Sequence, residues 1–194
     1  MESITASQMI GGNPEKKRSA TDFYPTPDEV TETLIYAIQP NPETTKIWEP
    51  ACGDGRMVRC LERIGPYEVV GTDISTGNDF LKINEAPDGC NWIITNPPFS
   101  LAEEFIRHAH ELNIPFAFLL KSQFWHAKKR YDLFTQCPPD YIFPLTWRPD
   151  FLFGASSGAP LMDVMWCVWL RNSRYPLTRY APLKKHIFNE VNNE

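Results

Sequence analysis

The chain has 194 residues, enough for one domain with a sizeable core. Its 19 Lys and Arg against 24 Asp and Glu leave a net charge of −5, which argues against a protein that grips a polyanion by bulk charge. No apolar run approaches membrane-spanning length and no signal peptide is read, so a cytoplasmic protein is expected, with no membrane partner. Five scattered cysteines form no Cys-x-x-Cys pair and fit a reducing compartment; the four histidines show no metal-ligand grouping, so no metal is expected.

Residues 1–20 are polar and read as a flexible arm, with Lys16-Lys17-Arg18 as a candidate phosphate contact. Phe23-Tyr24-Pro25 leads into Thr26-Pro27-Asp28-Glu29, a helix start with Thr26 as N-cap, Pro27 at N1 and Glu29 closing a capping box. Val30, Leu34 and Ile38 then recur as a buried stripe. Lys46-Ile47-Trp48-Glu49 is an apolar strand ending in an acid, followed by the glycine turn Pro50-Ala51-Cys52-Gly53-Asp54-Gly55. In the helix over 56–64, Met57, Val58, Leu61 and Ile64 share one face. A second short strand, Glu68-Val69-Val70-Gly71-Thr72, ends at Asp73, 20 residues beyond Gly53 (73 − 53). Strand, glycine turn, helix, strand and acid form a nucleoside-binding unit: the glycines admit the ligand close to the backbone and the acid takes ribose hydroxyls. Glu49 would repel a pyrophosphate, so a ligand with a cationic or neutral head, such as S-adenosylmethionine, fits better than a dinucleotide. Asp79-Phe80 follows the turn-like Thr76-Gly77-Asn78 and reads as the start of a short strand.

The run Asn91-Trp92-Ile93-Ile94-Thr95 is a buried strand, and Asn96-Pro97-Pro98-Phe99 lies at its carboxyl end, where open α/β sheets place ligands. Two prolines end the ladder and leave a rigid turn that presents a side-chain amide, a backbone carbonyl and an aromatic face. Those groups suit a planar substrate with an exocyclic amine. Ser100 to Glu103 reads as a capping box for a helix burying Leu101, Phe105, Ala109 and Leu112. A strand over 114–120 delivers Lys121 and Trp125 to the same sheet edge, where they either face nucleic acid or are respectively solvated and packed. Lys128-Lys129-Arg130 is a phosphate contact or a solvated face. Arg148-Pro149-Asp150-Phe151 and the stretch 154–158 suggest a mobile loop near the substrate, and 165–170 a closing strand whose tryptophans belong to the core. Alternation of strands and helices predicts a parallel-rich α/β sheet covered on both faces, a single domain over 21–186 and a frayed tail over 187–194.

With these motifs in hand, the chain resembles the S-adenosylmethionine-dependent DNA adenine-N6 methyltransferases of the small bacterial and phage type, over roughly residues 20–170. The block containing Phe23, Tyr24 and Thr26 looks like that family's first cofactor motif, and 49–55 like its main cofactor loop. Asp73 looks like the ribose acid, with Ile74 beside it, Asp79-Phe80 like the adenine-holding pair, and Asn96 to Phe99 like the catalytic tetrapeptide. The order is that of the gamma arrangement. The resemblance implies a Rossmann-like class I methyltransferase fold with a seven-stranded, mostly parallel sheet. S-adenosylmethionine is the implied cofactor, bound by Phe23, Tyr24, Thr26, Glu49, Ala51, Gly53, Gly55, Asp73, Ile74, Asp79 and Phe80.

Asn96, Pro97, Pro98 and Phe99 are then the catalytic group: the Asn96 oxygen and the Pro97 carbonyl orient the adenine amine, and Phe99 stacks on the extruded base. The implied partner is DNA, single-stranded or carrying a short site, with Lys121, Trp125 and Arg148 as candidate contacts, in a bacterial host or phage-infected cell. Oligomeric state is left open. Two alternatives remain at this stage: a methyltransferase acting on an RNA base amine or a protein glutamine amide, and a non-catalytic cofactor- or nucleic-acid-binding module.

Overall fold

The computed structural model describes residues 24–152, 160, 162–171 and 177–188. Seven strands make one mixed sheet: β1 (Lys46–Glu49), β2 (Glu68–Gly71), β3 (Trp92–Thr95), β4 (Phe116–Lys121), β5 (Tyr141–Pro144), β6 (Val164–Trp169) and β7 (Arg179–Tyr180), in the spatial order β2-β1-β3-β4-β6-β5-β7. The pairs β1–β2, β1–β3, β3–β4 and β5–β7 are parallel. β6 runs antiparallel to both neighbours, β4 and β5, so β5 again points the same way as β4.

Strand β4 shows why the central strands read as continuous apolar runs. Phe116, Phe118 and Leu120 enter one core, while Ala117 and Leu119 enter the other. The first core takes Trp48 from β1, Trp169 from β6 and the apolar face of α3 (Ala102–Leu112) through Phe105, Ile106 and Ala109. The second takes Ile47, Ile94 and Trp166 with α1 (Asp28–Ile38) and α2 (Arg56–Ile64), through Val30, Leu34, Met57 and Leu61. A fourth, short helix, α4 (Tyr131–Gln136), adds Leu133 to the first core. Helices therefore cover both faces, as expected of an α/β sheet.

Both expected capping boxes fail. α1 begins at Asp28 with Pro27 in the N-cap position and no side-chain cap, because the Thr26 hydroxyl is engaged by Asn96 instead. A 3₁₀ turn, Phe99–Leu101, intervenes before α3, so Leu101 rather than Ser100 precedes that helix; Glu103 pairs with Arg107 at 3.0 Å. Leu101 and Leu112 are only partly buried, and Ile106 takes the fully buried place. Asp79-Phe80 opens a 3₁₀ turn, Phe80–Lys82, and not a strand, since Asp79 accepts from the Leu81 N–H and so caps a turn. The closing strand lies one residue earlier than predicted, and its two tryptophans are buried.

Beyond β7 the chain crosses α1. His186 N–H donates to Thr33 Oγ1 at 2.9 Å, its ring stacks on Tyr36, and Phe188 N–H donates to Glu32 Oε2 at 3.0 Å. The ordered contacts thus continue past the point where a tail was expected, and Arg63 completes Glu32's shell at 2.8 Å. The predicted arm over 1–20, the loop over 154–158 and the tail from 189 lie outside the described residues. No helix among the described residues is long and apolar enough to cross a membrane.

Candidate active site

From β1 the chain turns through α2 to β2 on one side, and the next strand, β3, lies on the other. This reversal opens a crevice at the carboxyl ends of β1 and β3, the position where such sheets bind ligands. Two loops meet there. The first follows Glu49; Gly53 and Gly55 have φ of 52° and 77°, left-handed values that a side chain resists, which lets the loop fold back before α2. It is tied to the end of β2 by Cys52 N–H to Thr72 O at 3.0 Å and by Gly53 N–H to Asp73 Oδ2 at 3.0 Å. Asp73 also accepts from Ser75 N–H and Ser75 Oγ at 2.8 and 2.6 Å. Partial burial pushes its carboxyl upward, but these donors outweigh burial and hold it below the ordinary carboxylate range.

Glu49 is the opposite case. It is 1% exposed at the end of β1, and burial pushes its carboxyl up to about 8, with the Asp73 charge adding to the rise. The Thr95 hydroxyl and, more distantly, Ala51 N–H donate to Oε1 and oppose that shift only in part. Oε2 has no partner among the described residues.

The second loop is the tetrapeptide after β3. Asn96 Nδ2 donates to the Tyr24 carbonyl and to Thr26 Oγ1, both at 3.1 Å. A carbonyl can only accept, so this pair of bonds decides which end of the amide is nitrogen. Oδ1 is left buried and without a partner among the described residues. Phe99 lies 5.8 Å from the Tyr24 ring, and Phe151 meets Tyr24 edge-on at 6.3 Å. The Lys121 ammonium sits 4.5 Å from the Phe99 centroid and 6.0 Å from that of Tyr24, within cation–π range.

One cavity of about 600 Å³ joins both loops. Its walls include Glu49, Ala51, Gly53, Asp73, Ile74, Asp79 and Phe80 on the glycine-loop side, and Tyr24, Thr26 and Asn96 to Phe99 on the other. Ile74 is half exposed, whereas Phe80 is 2% exposed and packs against Trp48, Phe105 and His108, so it forms a floor more than a face. Four predicted residues stand off the wall. Gly55 sets the turn into α2. Lys121 reaches the site through Phe99. Trp125 is packed, stacked on Phe134 at 3.9 Å with its N–H on Met165 Sδ. Arg148 is exposed and paired with Asp163 at 2.7 Å. Phe23 lies outside the described residues.

Several wall residues were not foreseen: Arg56 and Met57 at the start of α2, Ser75, Asn78 and Phe105. Arg56 bonds Asp28 at 2.8 Å, and Arg63 bonds both Asp28 and Glu32, so the wall is tied through charges to α1. Thr95, the partner of Glu49, carried a signal: it is the one polar residue in the buried part of β3. Among the described residues no group of three or more His, Cys, Asp or Glu could hold a metal.

Neither a protein-family profile nor a curated protein matches the sequence. Solved structures do match by shape. A protein assigned as a class I S-adenosylmethionine-dependent methyltransferase from Listeria monocytogenes superposes with a TM-score of 0.57 at 16% identity, over 85% of this chain and 67% of its own. The fold is that of the class I methyltransferases. The type I restriction-modification methyltransferase subunit of Streptococcus thermophilus also aligns at 0.57, with 15% identity over 77% of this chain and 44% of its own. A modification subunit assigned to a type I restriction enzyme of Vibrio vulnificus gives 0.57 at 13% identity, over 85% and 48%. The chain thus spans about two thirds of the first class I methyltransferase and under half of the other two proteins.

Proposed function

We propose that this chain transfers a methyl group from S-adenosylmethionine to the exocyclic N6 amine of adenine in DNA. The observation that carries the reading is Asn96: its nitrogen is committed to Tyr24 and Thr26, and its buried oxygen is an acceptor with no partner among the described residues. An orphaned buried acceptor is costly unless a ligand satisfies it, and an amine donor is what it lacks.

The cavity fits the cofactor chemically. Asp73 is held as a carboxylate at the end of β2, suited to accept from ribose hydroxyls. Half-exposed Ile74 offers an apolar face to the adenine ring, and Asp79 an acceptor for its amine. Glu49 Oε2, unpartnered beside the glycine loop, suits a positively charged ligand better than an anionic one. Thr26, on the cavity wall, and Phe23 then contact the methionine end, as the family resemblance implies. When bound, the cofactor supplies a methyl group on a sulfonium, activated for in-line displacement.

The chain's own residues act on the acceptor. The N6 lone pair of adenine is delocalised into the ring, so the free amine is a poor nucleophile. Its two hydrogens, donated to Asn96 Oδ1 and the Pro97 carbonyl, favour a pyramidal nitrogen whose lone pair is localised and aimed. Forming the N–C bond would break the S–C bond of the bound cofactor and leave a surplus N6 proton for water to take. Phe99, with Tyr24 beside it, stacks on the base once extruded, worth ~1–3 kcal/mol. The aromatic faces favour a planar base, and the motif order is of the gamma type. The net charge of −5 favours a different acceptor, a protein glutamine amide, for which the same two acceptors would serve.

Transfer of labelled methyl to duplex DNA, single-stranded DNA, tRNA, ribosomal RNA and protein, followed by digestion, separates these readings. N6-methyladenine from DNA is expected. Label in RNA or protein would overturn the substrate, and cofactor binding without transfer to any acceptor would leave a binding module.

A further inference from the structure

Thr26 stands where a helix cap was expected, yet Pro27 occupies the N-cap position of α1 and no side-chain capping hydrogen bond is made there. Its hydroxyl, on a residue 5% exposed, instead accepts from Asn96 Nδ2 across 70 residues of chain. We propose that Thr26 is a positioning residue for the methyl-transfer reaction, holding the Asn96 amide so that Oδ1 meets the reacting amine. The inference rests on the reading of Asn96 as the acceptor of the substrate N–H.

The geometry argues it in two steps. The Tyr24 carbonyl selects the nitrogen end, since a flipped amide would set oxygen against oxygen there and present N–H to the substrate's own N–H. One hydrogen bond, however, leaves the planar group free to rock about it. The two Nδ2 hydrogens diverge within the amide plane, so a second acceptor fixes that plane and with it the direction of Oδ1. Thr26 Oγ1 is that acceptor, and Tyr24 and Thr26 flank a proline in a segment with little backbone freedom. Orientation of the acceptor is where this reaction gains rate, so a loose Asn96 costs turnover more than binding.

Two substitutions test it. Thr26→Val keeps shape and removes the hydroxyl; Thr26→Ser keeps the hydroxyl. With saturating cofactor, Thr26→Val is expected to lower kcat about tenfold, whatever change it makes to the Kd for S-adenosylmethionine through its place in the cavity wall, and Thr26→Ser to restore most of the rate. A raised cofactor Kd with unchanged kcat would overturn the proposal and make Thr26 a cofactor contact only. A readout without substrate stands beside it: in protein labelled with ¹⁵N-asparagine, both Asn96 Nδ2 hydrogens should be protected from solvent exchange, and one should exchange about tenfold faster in Thr26→Val but not in Thr26→Ser. Equal protection in all three would overturn the proposal. Unequal protection in a protein that methylates nothing would refute the methyltransferase reading while leaving Asn96 held by Thr26.

Discussion

Glu49 makes the stability of this protein depend on pH in a direction opposite to that of most paired carboxylates. Its ordinary value is 4.5, and in the folded chain burial lifts it to about 8. Below pH 4.5 both folded and unfolded chains hold the proton and the group contributes no difference. Between 4.5 and 8 the unfolded chain ionises freely while the folded chain keeps the proton, so stability falls as pH rises, by about 1.4 kcal/mol per pH unit. By pH 8 the accumulated loss is about 5 kcal/mol, comparable to the whole stability of many domains. Glu49→Gln keeps the shape and cannot ionise, and its side chain can still bond Thr95. Urea unfolding of both proteins at constant ionic strength across pH 5 to 9 isolates the effect from every other titrating group. The gap between them should move by several kcal/mol in favour of Glu49→Gln as pH rises to 8, then level off. Parallel curves would refute the argument that Glu49 is buried and uncharged near neutrality. A cationic ligand beside Oε2 favours the carboxylate, so cofactor binding at pH 7 should release a proton, seen as a dependence of the binding heat on the buffer's ionisation enthalpy.

Two further predictions follow from charges away from the cavity. Arg63→Ala leaves Glu32, 2% exposed, with the Phe188 N–H as its one partner among the described residues, and should cost about 2–3 kcal/mol in denaturant unfolding, less than a fully buried pair because Arg63 is partly exposed; a loss under about 0.5 kcal/mol would contradict the network described. Lys128 and Lys129 are exposed beyond β4 in a stretch with no acid between Glu111 and Asp132. If they meet phosphates, changing both to Gln should reduce the slope of log affinity for duplex DNA against log salt by about 2, and an unchanged slope would make them a solvated face. Arg130 is excluded from that pair because it is bonded to the Phe124 carbonyl at 3.0 Å and lies over the Phe124 ring.

The parts of the site legible from sequence are those written in backbone and burial. β1 and β3 are apolar runs closed by Glu49 and by two prolines, so their ends could be placed to within a residue. Gly53 and Asp73 were legible together because a tight turn and an acid at that separation serve one ligand, and the structure bonds them directly. What could not be read depends on partners far along the chain. Thr26 and Ser100 both carry good capping patterns, but a bond to Asn96 claims the first hydroxyl and a 3₁₀ turn displaces the second. The protonated state of Glu49 is set by burial against an opposing bond from Thr95, and neither is visible in a strand four residues long. β5 and β7 are short and half-buried or exposed: β5 pairs with the edge of β6, and β7 pairs only with β5. Trp125 was ambiguous in sequence; the structure stacks it on Phe134, a partner the sequence did not show.

On the proposed function, Asn96 holds the acceptor amine and takes no part in holding the cofactor. Methyl transfer to DNA by wild type and Asn96→Ala, with S-adenosylmethionine affinity measured on the same preparations, tests it directly. Transfer is expected to fall by a factor of about 10² or more in Asn96→Ala, with cofactor affinity unchanged within a few-fold. Transfer that persists in Asn96→Ala, or that is lost only in step with cofactor binding, would contradict it.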